Sequence, residues 1–203
     1  MILNDIHRRK QWFFDRWAPS YDWLFPSVFY QAIHKRLLQY VQLSDSASVL
    51  DLGCGTGRLL DRLANQFPKL HGTGLDLSPE MLRQARQQNR HHPRLIYQQG
   101  NAETLPFANC QFDAVFNSLS FLHYPNPTQV LAEVRRVLQP SGKFYLADPI
   151  ASLQIALQQL SLSPDNVRLY TRATREKLGE QVGLRCCGHY PLFPPTVLTV
   201  FER

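Results

Sequence analysis

Residues 49–57 read Val-Leu-Asp-Leu-Gly-Cys-Gly-Thr-Gly, a short apolar run that ends in three glycines at alternate positions. The run 48–52 predicts a buried strand, and the spacing of leucines over 58–67 predicts that a helix follows at once. Glycines in such a strand-to-helix turn let the backbone approach a ligand, because no Cβ intervenes. Since ligands of open α/β sheets bind beyond the carboxyl ends of the strands, this segment predicts a ligand-binding turn.

The residues downstream of this turn continue the alternation of strand and helix. We predict strands at 70–77, 94–99, 112–118 and 143–148, with helices at 79–90 and 126–138 between them. Ser78 and Pro79 are typical of a helix start, as N-cap and first helical residue. The alternation predicts an α/β fold with a Rossmann-like, doubly wound and mostly parallel sheet.

The two ends of the chain depart from this pattern. A predicted helix at 172–182 precedes strands at 184–190 and 196–202, and the link Pro191–Pro195 between them is so short that they must form an antiparallel hairpin. This hairpin completes a seven-stranded sheet. Residues 5–42 have a helical pattern. We therefore predict one domain over 1–203, with an N-terminal helical cap at 1–45 and a cofactor-binding core at 46–203.

The composition is that of a globular domain, with 44% apolar and 19% charged residues among 203. Net charge is +6, but the basic residues are scattered apart from clusters at 7–10 and 83–94, so solvated faces are favoured over nucleic-acid binding. The chain starts without a signal-peptide pattern, and no apolar run reaches membrane length, so we expect a cytoplasmic protein. None of the four cysteines forms a Cys-x-x-Cys pair, and we predict no metal site and a structural role for His189.

Two carboxylates flank the glycines and narrow the identity of the ligand. Asp51 lies two residues before Gly53, where it would disfavour a pyrophosphate and favour a ligand that carries an ammonium. The third glycine also comes one residue earlier than in the dinucleotide fingerprint. Asp76 ends the second predicted strand, where a carboxylate can accept hydrogen bonds from both hydroxyls of a ribose. These residues predict a cationic, ribose-bearing cofactor.

Residues after the next strands complete the predicted cofactor site. Leu77 is placed to press against an adenine face, and Asn101-Ala102 to recognise the adenine edge, because an amide both donates and accepts hydrogen bonds. Asn117 and Ser118 end the fourth strand and face the same crevice.

Five segments together resemble the class I S-adenosylmethionine-dependent methyltransferases, in particular the branch with ubiquinone and menaquinone C-methyltransferases. They are VLDLGCGTG at 49–57, GTGLDLSPEML at 72–82, GNAETLPF at 100–107, FDAVFNSLSFLH at 112–123 and RRVLQPSGKFYLAD at 135–148. The resemblance implies S-adenosyl-L-methionine as the cofactor, which carries an ammonium and a sulfonium and no phosphate. At 121–124 this chain has Phe-Leu-His-Tyr where the quinone enzymes have Gly-Leu-Arg-Asn, so a quinone acceptor is not implied.

The same resemblance implies a role for each matching residue. The first turn would surround the methionine part of the cofactor with Asp51, Gly53, Cys54, Gly55 and Gly57. Asp76 would hold the ribose, and Asn101 and Ala102 would contact the adenine. Asn117 would lie near the ammonium, and Tyr21 of the cap would cover the cofactor.

Methyl transfer from a sulfonium needs alignment and water exclusion more than acid or base chemistry. A base is needed only where the acceptor must lose a proton. His123, after the fourth strand at the crevice mouth, is our candidate for that base; the alternative is a structural histidine of this loop. Asp148, at the end of the fifth strand, is expected to face the same rim, where it either orients the base or simply ends the strand. The aromatic cluster 12–30 forms the core of the cap, lines an apolar acceptor pocket, or does both. Together with the basic residues 7–10, it raises the hypothesis of weak peripheral contact with an anionic membrane.

We therefore expect a methyltransferase that acts on a small, apolar or aromatic molecule. The alternatives are an oxidoreductase with a nucleotide cofactor and a non-catalytic module that binds S-adenosylmethionine. Nucleic-acid methylation is disfavoured, because the motif Asn/Asp-Pro-Pro-Tyr/Phe of base-flipping enzymes does not occur after the fourth strand, which continues as Asn117-Ser118-Leu119-Ser120. The sequence leaves the oligomeric state open.

Overall fold

The computed structural model describes residues 26–151 and 167–203. Its helices are α1 Pro26–Leu37, α2 Arg58–Gln66, α3 Pro79–Gln88, α4 Pro127–Val137 and α5 Arg172–Gln181. Its strands are β1 Ser48–Leu52, β2 His71–Asp76, β3 Leu95–Gln99, β4 Phe112–Ser118, β5 Leu138–Pro149, β6 Arg185–Pro191 and β7 Thr196–Glu202. Short 3₁₀ turns occupy Leu38–Tyr40 and Phe121–His123.

The strands form one seven-stranded sheet in the order β3-β2-β1-β4-β5-β7-β6. Strands β1 to β5 pair in parallel, and β7 runs antiparallel to both β5 and β6. Chain order reverses between β1 and β4, which is the point where ligands bind in doubly wound sheets. The predicted α/β class and the predicted C-terminal hairpin are both confirmed.

Both faces of the sheet are covered, as a largely parallel sheet requires. One core contains apolar residues of α1, α2 and α3 packed against side chains such as Val49, Phe116 and Tyr145. The other contains α4 together with Leu50, Val115 and Phe201. Residues of β1 thus enter both cores, which explains why Val49, Leu50 and Leu52 are all apolar.

Local capping and pairing set the element boundaries. The Ser78 side chain accepts a hydrogen bond from the Met81 amide, and Pro79 follows at the first helical position, as predicted. Strand β5 is longer than the predicted 143–148. It begins at Leu138 because that residue pairs with Phe112 across a register shift, a contact that no local apolar pattern reveals.

The helical cap, and with it the division of the chain at residue 45, stays a prediction. Tyr21, the basic residues 7–10 and most of the aromatic cluster 12–30 lie outside the described residues. Among the residues that are described, none of the helices has the length and apolar character needed to cross a membrane. A cytoplasmic location stays a prediction.

Candidate functional site

The turn between β1 and α2 is held in a conformation that favours glycine at three positions. Gly53, Gly55 and Gly57 have φ of 67°, 52° and 80°, in the left-handed region that L side chains rarely adopt. The amides of Gly53 and Cys54 both donate to the carbonyl of Leu75, which ties the turn to the end of β2.

The surroundings of these glycines differ. A Cβ on Gly57 would lie 2.5 Å from the hydroxyl of Tyr97, and one on Gly53 would lie 2.5 Å from Oγ of Ser120. Among the described residues, no heavy atom lies within 4 Å of a Cβ built on Gly55. Two of the glycines therefore permit close packing, whereas Gly55 is not packed against any part of the chain that the structure describes.

Asp76 connects this turn to β2. Its Oδ2 accepts a hydrogen bond from the Gly55 amide at 2.8 Å, and its Oδ1 accepts one from the Ser78 amide at 2.9 Å. One carboxylate thus orients the middle of the glycine turn and the start of α3 together. Its negative charge stands at the carboxyl end of β2, where the sequence predicted it.

Asp51 places a second carboxylate nearby, on β1. It is only 2% exposed. Burial, and after it the negative charge of Asp76, raises the pKa of Asp51 well above its usual range. A cation bound beside it would favour the ionised form. The buried carboxylate is therefore suited to a positively charged ligand and unsuited to a phosphate.

Two clefts meet at the glycine turn. The first is lined by predicted residues, namely Gly53, Gly55, Asp76, Leu77, Asn101, Ala102 and His123. The second is lined by Asp51, Cys54 and Thr56 on one side and by Tyr30, Gln31 and His34 of α1 on the other. Gly53, Gly55, Ser118 and Leu119 line both clefts, so a ligand that spans them passes in front of Gly55.

His34 is a member of the second cleft that the sequence analysis missed. Its Nε2 lies 3.1 Å from Oγ of Ser118, and the residue is buried. Burial, with a smaller contribution from the positive charge of Arg62, lowers the pKa of His34 to about 3. The imidazole is therefore neutral at physiological pH. No sequence motif marks this residue, since it reaches the turn only because α1 packs there.

Asn117 supports the cleft wall from behind. The side chain is fully buried, and its Nδ2 lies 3.0 Å from the Leu52 carbonyl, 2.7 Å from Oγ of Ser120 and 2.9 Å from the Tyr124 hydroxyl. Ser120 and Tyr124 themselves line the first cleft. Burial raises the pKa of Tyr124 above its usual range, so its hydroxyl stays protonated. These two residues were also missed, although both hydroxyls lie in the short segment after the fourth predicted strand.

The two candidates for acid–base chemistry occupy different places. His123 lines the first cleft, in the turn after β4. Asp148 is 1% exposed and does not contribute to either cleft as far as the chain is described. Its Oδ2 accepts a hydrogen bond from the Leu122 amide at 2.8 Å, and burial raises its pKa to about 7. Asp148 thus lies behind the loop that carries His123, rather than at the crevice rim where the sequence analysis expected it.

Comparison with known proteins agrees with this geometry. A family model described as a methyltransferase domain matches residues 49–142. An uncharacterised 37.1 kDa protein of a Streptomyces fradiae transposon is 35% identical over 144 residues, which are 70% of this chain and 41% of that protein. A demethylmenaquinone methyltransferase of Chlorobaculum parvum is 31% identical over 156 residues, 73% of this chain and 63% of that one.

Among solved structures, a Haloferax volcanii chain in complex with the Trm112 methyltransferase activator superposes with a TM-score of 0.83. It is 25% identical, and the match covers 93% of this chain and 96% of that one. By contrast, this chain spans only about half the length of the curated relatives. The part matched by the family model, residues 49–142, contains the whole glycine turn and both carboxylates.

Proposed function

We propose that this chain, which belongs to the class I S-adenosylmethionine-dependent methyltransferases, transfers the methyl group of that cofactor to a small apolar or aromatic molecule. The observation that carries the proposal is the junction at Gly55. There a cleft lined by the Asp76 carboxylate meets a cleft lined by the buried Asp51 carboxylate. A ligand that carries both a ribose and an ammonium matches this arrangement.

The residues of the first cleft suit an adenosine. Leu77 and Met81 offer apolar surface for a base, and Asp76 stands where ribose hydroxyls would donate. The side-chain oxygen of Asn101 accepts a hydrogen bond from the Glu103 amide, which holds the adjoining loop in a turn at the edge of the cleft. Within residues 26–151 and 167–203 no heavy atom lies near a Cβ on Gly55, which supports passage of the ligand across the turn.

The residues of the second cleft suit the methionine part and an acceptor beside it. Bound S-adenosylmethionine would supply a methyl group on a sulfonium, which leaves a neutral thioether after an in-line displacement. Asp51 would hold the ammonium, and Tyr30 with the neutral His34 would bound the acceptor on the α1 side. His123 stays our candidate for a base where the acceptor must lose a proton. The name of the demethylmenaquinone methyltransferase relative supports an apolar, aromatic acceptor.

Calorimetry with S-adenosylhomocysteine tests the cofactor assignment without an acceptor. We expect Asp76→Ala to weaken binding about 100-fold, because it removes the ribose acceptor and frees the Gly55 amide. Asp113→Ala is the matched control, since the Oδ2 of Asp113 also accepts a backbone hydrogen bond, from Ser48, but at the opposite end of β1. If both variants bind as tightly as the wild type, the cofactor site is elsewhere.

Labelled methyl transfer tests the reaction itself. Purified protein is incubated with methyl-labelled cofactor and a fractionated cell extract, and the labelled product is identified by mass spectrometry. We expect label in a small apolar or aromatic molecule and none with Asp76→Ala. Tight binding of NAD(H) without binding of S-adenosylhomocysteine would overturn the proposal in favour of an oxidoreductase. Cofactor binding without a labelled product from any fraction would favour the non-catalytic module.

A further inference from the structure

A second cluster of chemically active side chains lies at the other edge of the sheet, on α5 and β6. Nε2 of His189 lies 2.8 Å from Oε1 of Glu176 and 3.9 Å from Sγ of Cys186. The three ligand atoms all lie within 4.8 Å of one another. A thiol, an imidazole and a carboxylate at such separations form a donor set that suits a borderline divalent metal ion.

A β-bulge brings two of these residues to one face of the sheet. In a regular strand, positions three apart point to opposite faces, so Cys186 and His189 would diverge. The pairing of β6 with β7 shifts between Cys186 and Gly188, which makes Cys187 the extra residue. Gly188 adopts a φ of 154° at this shift.

The partners across the hairpin identify that face. Cys186 pairs with Phe201 and His189 with Thr199, and the opposing residues of an antiparallel pair share a face. A Cβ on Gly179 of α5 would contact the Phe201 ring, so this is the face that α5 covers. Glu176, one turn earlier on α5, therefore meets the two strand residues from above.

We propose that Glu176, Cys186 and His189 bind a divalent transition-metal ion of the zinc class. Nδ1 of His189 lies 3.0 Å from Oγ1 of Thr199, so the ring is oriented through its other nitrogen, as metal-binding histidines commonly are. Neither the methyl-transfer proposal nor the cofactor clefts depend on this site. The ion would fasten the C-terminal hairpin to α5, which is a structural role.

A groove lies beside two of the three proposed ligands, Glu176 and Cys186. Glu180 lines this groove next to Glu176, Cys186 and Gly183, and it lies one helical turn after Glu176 on the same side of α5. Either its carboxylate or a water molecule can complete a tetrahedral shell. The sequence analysis predicted no metal because no Cys-x-x-Cys pair exists, yet here the bulge joins a Cys and a His on one strand with a Glu on a helix.

Cobalt and zinc titrations of the metal-stripped, purified chain test the proposal. We expect Co²⁺ to produce a thiolate-to-metal charge-transfer band and the intense visible absorption of a four-coordinate site. Zn²⁺ should displace the Co²⁺ and raise the melting temperature. Cys186→Ser should abolish the charge-transfer band, and His189→Gln should weaken Zn²⁺ affinity at least about 100-fold.

Cys187→Ser is the matched control, because its thiol is exposed, lies next to Cys186 and is not part of the three-residue cluster. This variant should keep both the band and the affinity. Equal loss in Cys187→Ser and Cys186→Ser would indicate adventitious thiol binding and overturn the proposal. So would a wild type that gives no band, or Zn²⁺ affinity unchanged by His189→Gln. Circular dichroism of the metal-free variants establishes that each one folds.

Discussion

Two regions of the molecule bury polar groups in different ways. The cleft region consists of the turn 53–57 and the carboxyl ends of β1, β2 and β4. The hairpin region consists of α5, β6 and β7. In the cleft region the turn is bound by residues of neighbouring strands, and its special conformation is carried by glycines only two residues apart. In the hairpin region polar side chains from distant segments meet inside the fold. The arrangement of the cleft region can be recognised from a short sequence motif, whereas the arrangement of the hairpin region forms only when the elements pack together.

Arg175 is the clearest example from the hairpin region. Its side chain is 1% exposed, and its Nη2 donates to the carbonyls of Asp148 and Pro149 at 2.9 and 3.0 Å. Its Nη1 donates to the carbonyl of Val197 at 3.0 Å. One guanidinium thus fastens α5 to the ends of β5 and β7. The carboxylate of Asp148 in turn accepts a hydrogen bond from the Leu122 amide, so the two regions meet at Asp148.

The largest effect on stability is expected at Arg175, and it tests the difference between the hairpin region and the cleft region. Arg175→Met leaves three carbonyls without their buried donor, and we expect the free energy of unfolding to fall by about 3 kcal/mol or more. Urea denaturation followed by circular dichroism measures this loss. Arg185→Met is the control, because that guanidinium is exposed and pairs with Glu202 at the surface, so little change is expected. An equal fall in the free energy of unfolding in the two variants would contradict the stabilising role of the buried Arg175 side chain.

The next effect separates two glycines of the cleft region. Gly57→Ala should lower the free energy of unfolding by about 2 kcal/mol or more, since a left-handed φ is combined with a clash against Tyr97. Gly55→Ala should cost about 1 kcal/mol of backbone strain only. Its Cβ would instead occupy the junction of the clefts, so S-adenosylhomocysteine should bind at least about tenfold more weakly. Denaturation and calorimetry of both variants measure these effects. If Gly55→Ala binds S-adenosylhomocysteine as tightly as the wild type, the ligand does not occupy the junction of the clefts.

The smallest effect concerns protons at Asp51. Burial raises the pKa of Asp51 in the free protein, and a bound ammonium would favour the ionised carboxylate. Binding should therefore release a proton at pH values between the pKa of the ligand-bound carboxyl and the raised pKa of the free one. Over that range the affinity should fall as the pH is lowered, by at most about tenfold per pH unit, and above the raised pKa it should stay constant.

Calorimetry in buffers of different ionisation enthalpy measures the released proton directly. Asp51→Asn should bind S-adenosylhomocysteine more weakly but without this pH dependence. If the variant keeps the wild-type dependence, the proton belongs to another group.

The parts of the fold that were predictable are those with a local physical signal. Strands 48–52, 112–118 and 196–202 match the structure to the residue, because a buried strand is a continuous apolar run that ends at turn-forming residues. The start of β5 was missed, because Leu138 pairs with Phe112 across an irregular register. In the candidate site, the predicted Gly55, Asp76 and Asn101 line a common cleft. Their roles toward a cofactor stay predictions.

His34, Ser120 and Tyr124 show why the rest of the site could not be predicted. Each reaches its place through a helix or loop that packs on the glycine turn from elsewhere in the chain. The position of Asp148 behind the loop, rather than on the rim, likewise depends on a tertiary contact, the hydrogen bond that its carboxylate accepts from the Leu122 amide.

The order and period of the apolar runs sufficed to establish the fold class, and the turn residues and the two carboxylates predicted a ligand-binding turn and a cationic, ribose-bearing ligand. These properties follow from interactions between residues close in sequence, or from rules common to all parallel sheets. Packing alone brought His34 against Ser118, buried Arg175 among three carbonyls, and aligned Cys186 with His189 across a bulge. Such contacts join segments far apart in the chain, and their geometry arises only when whole elements dock.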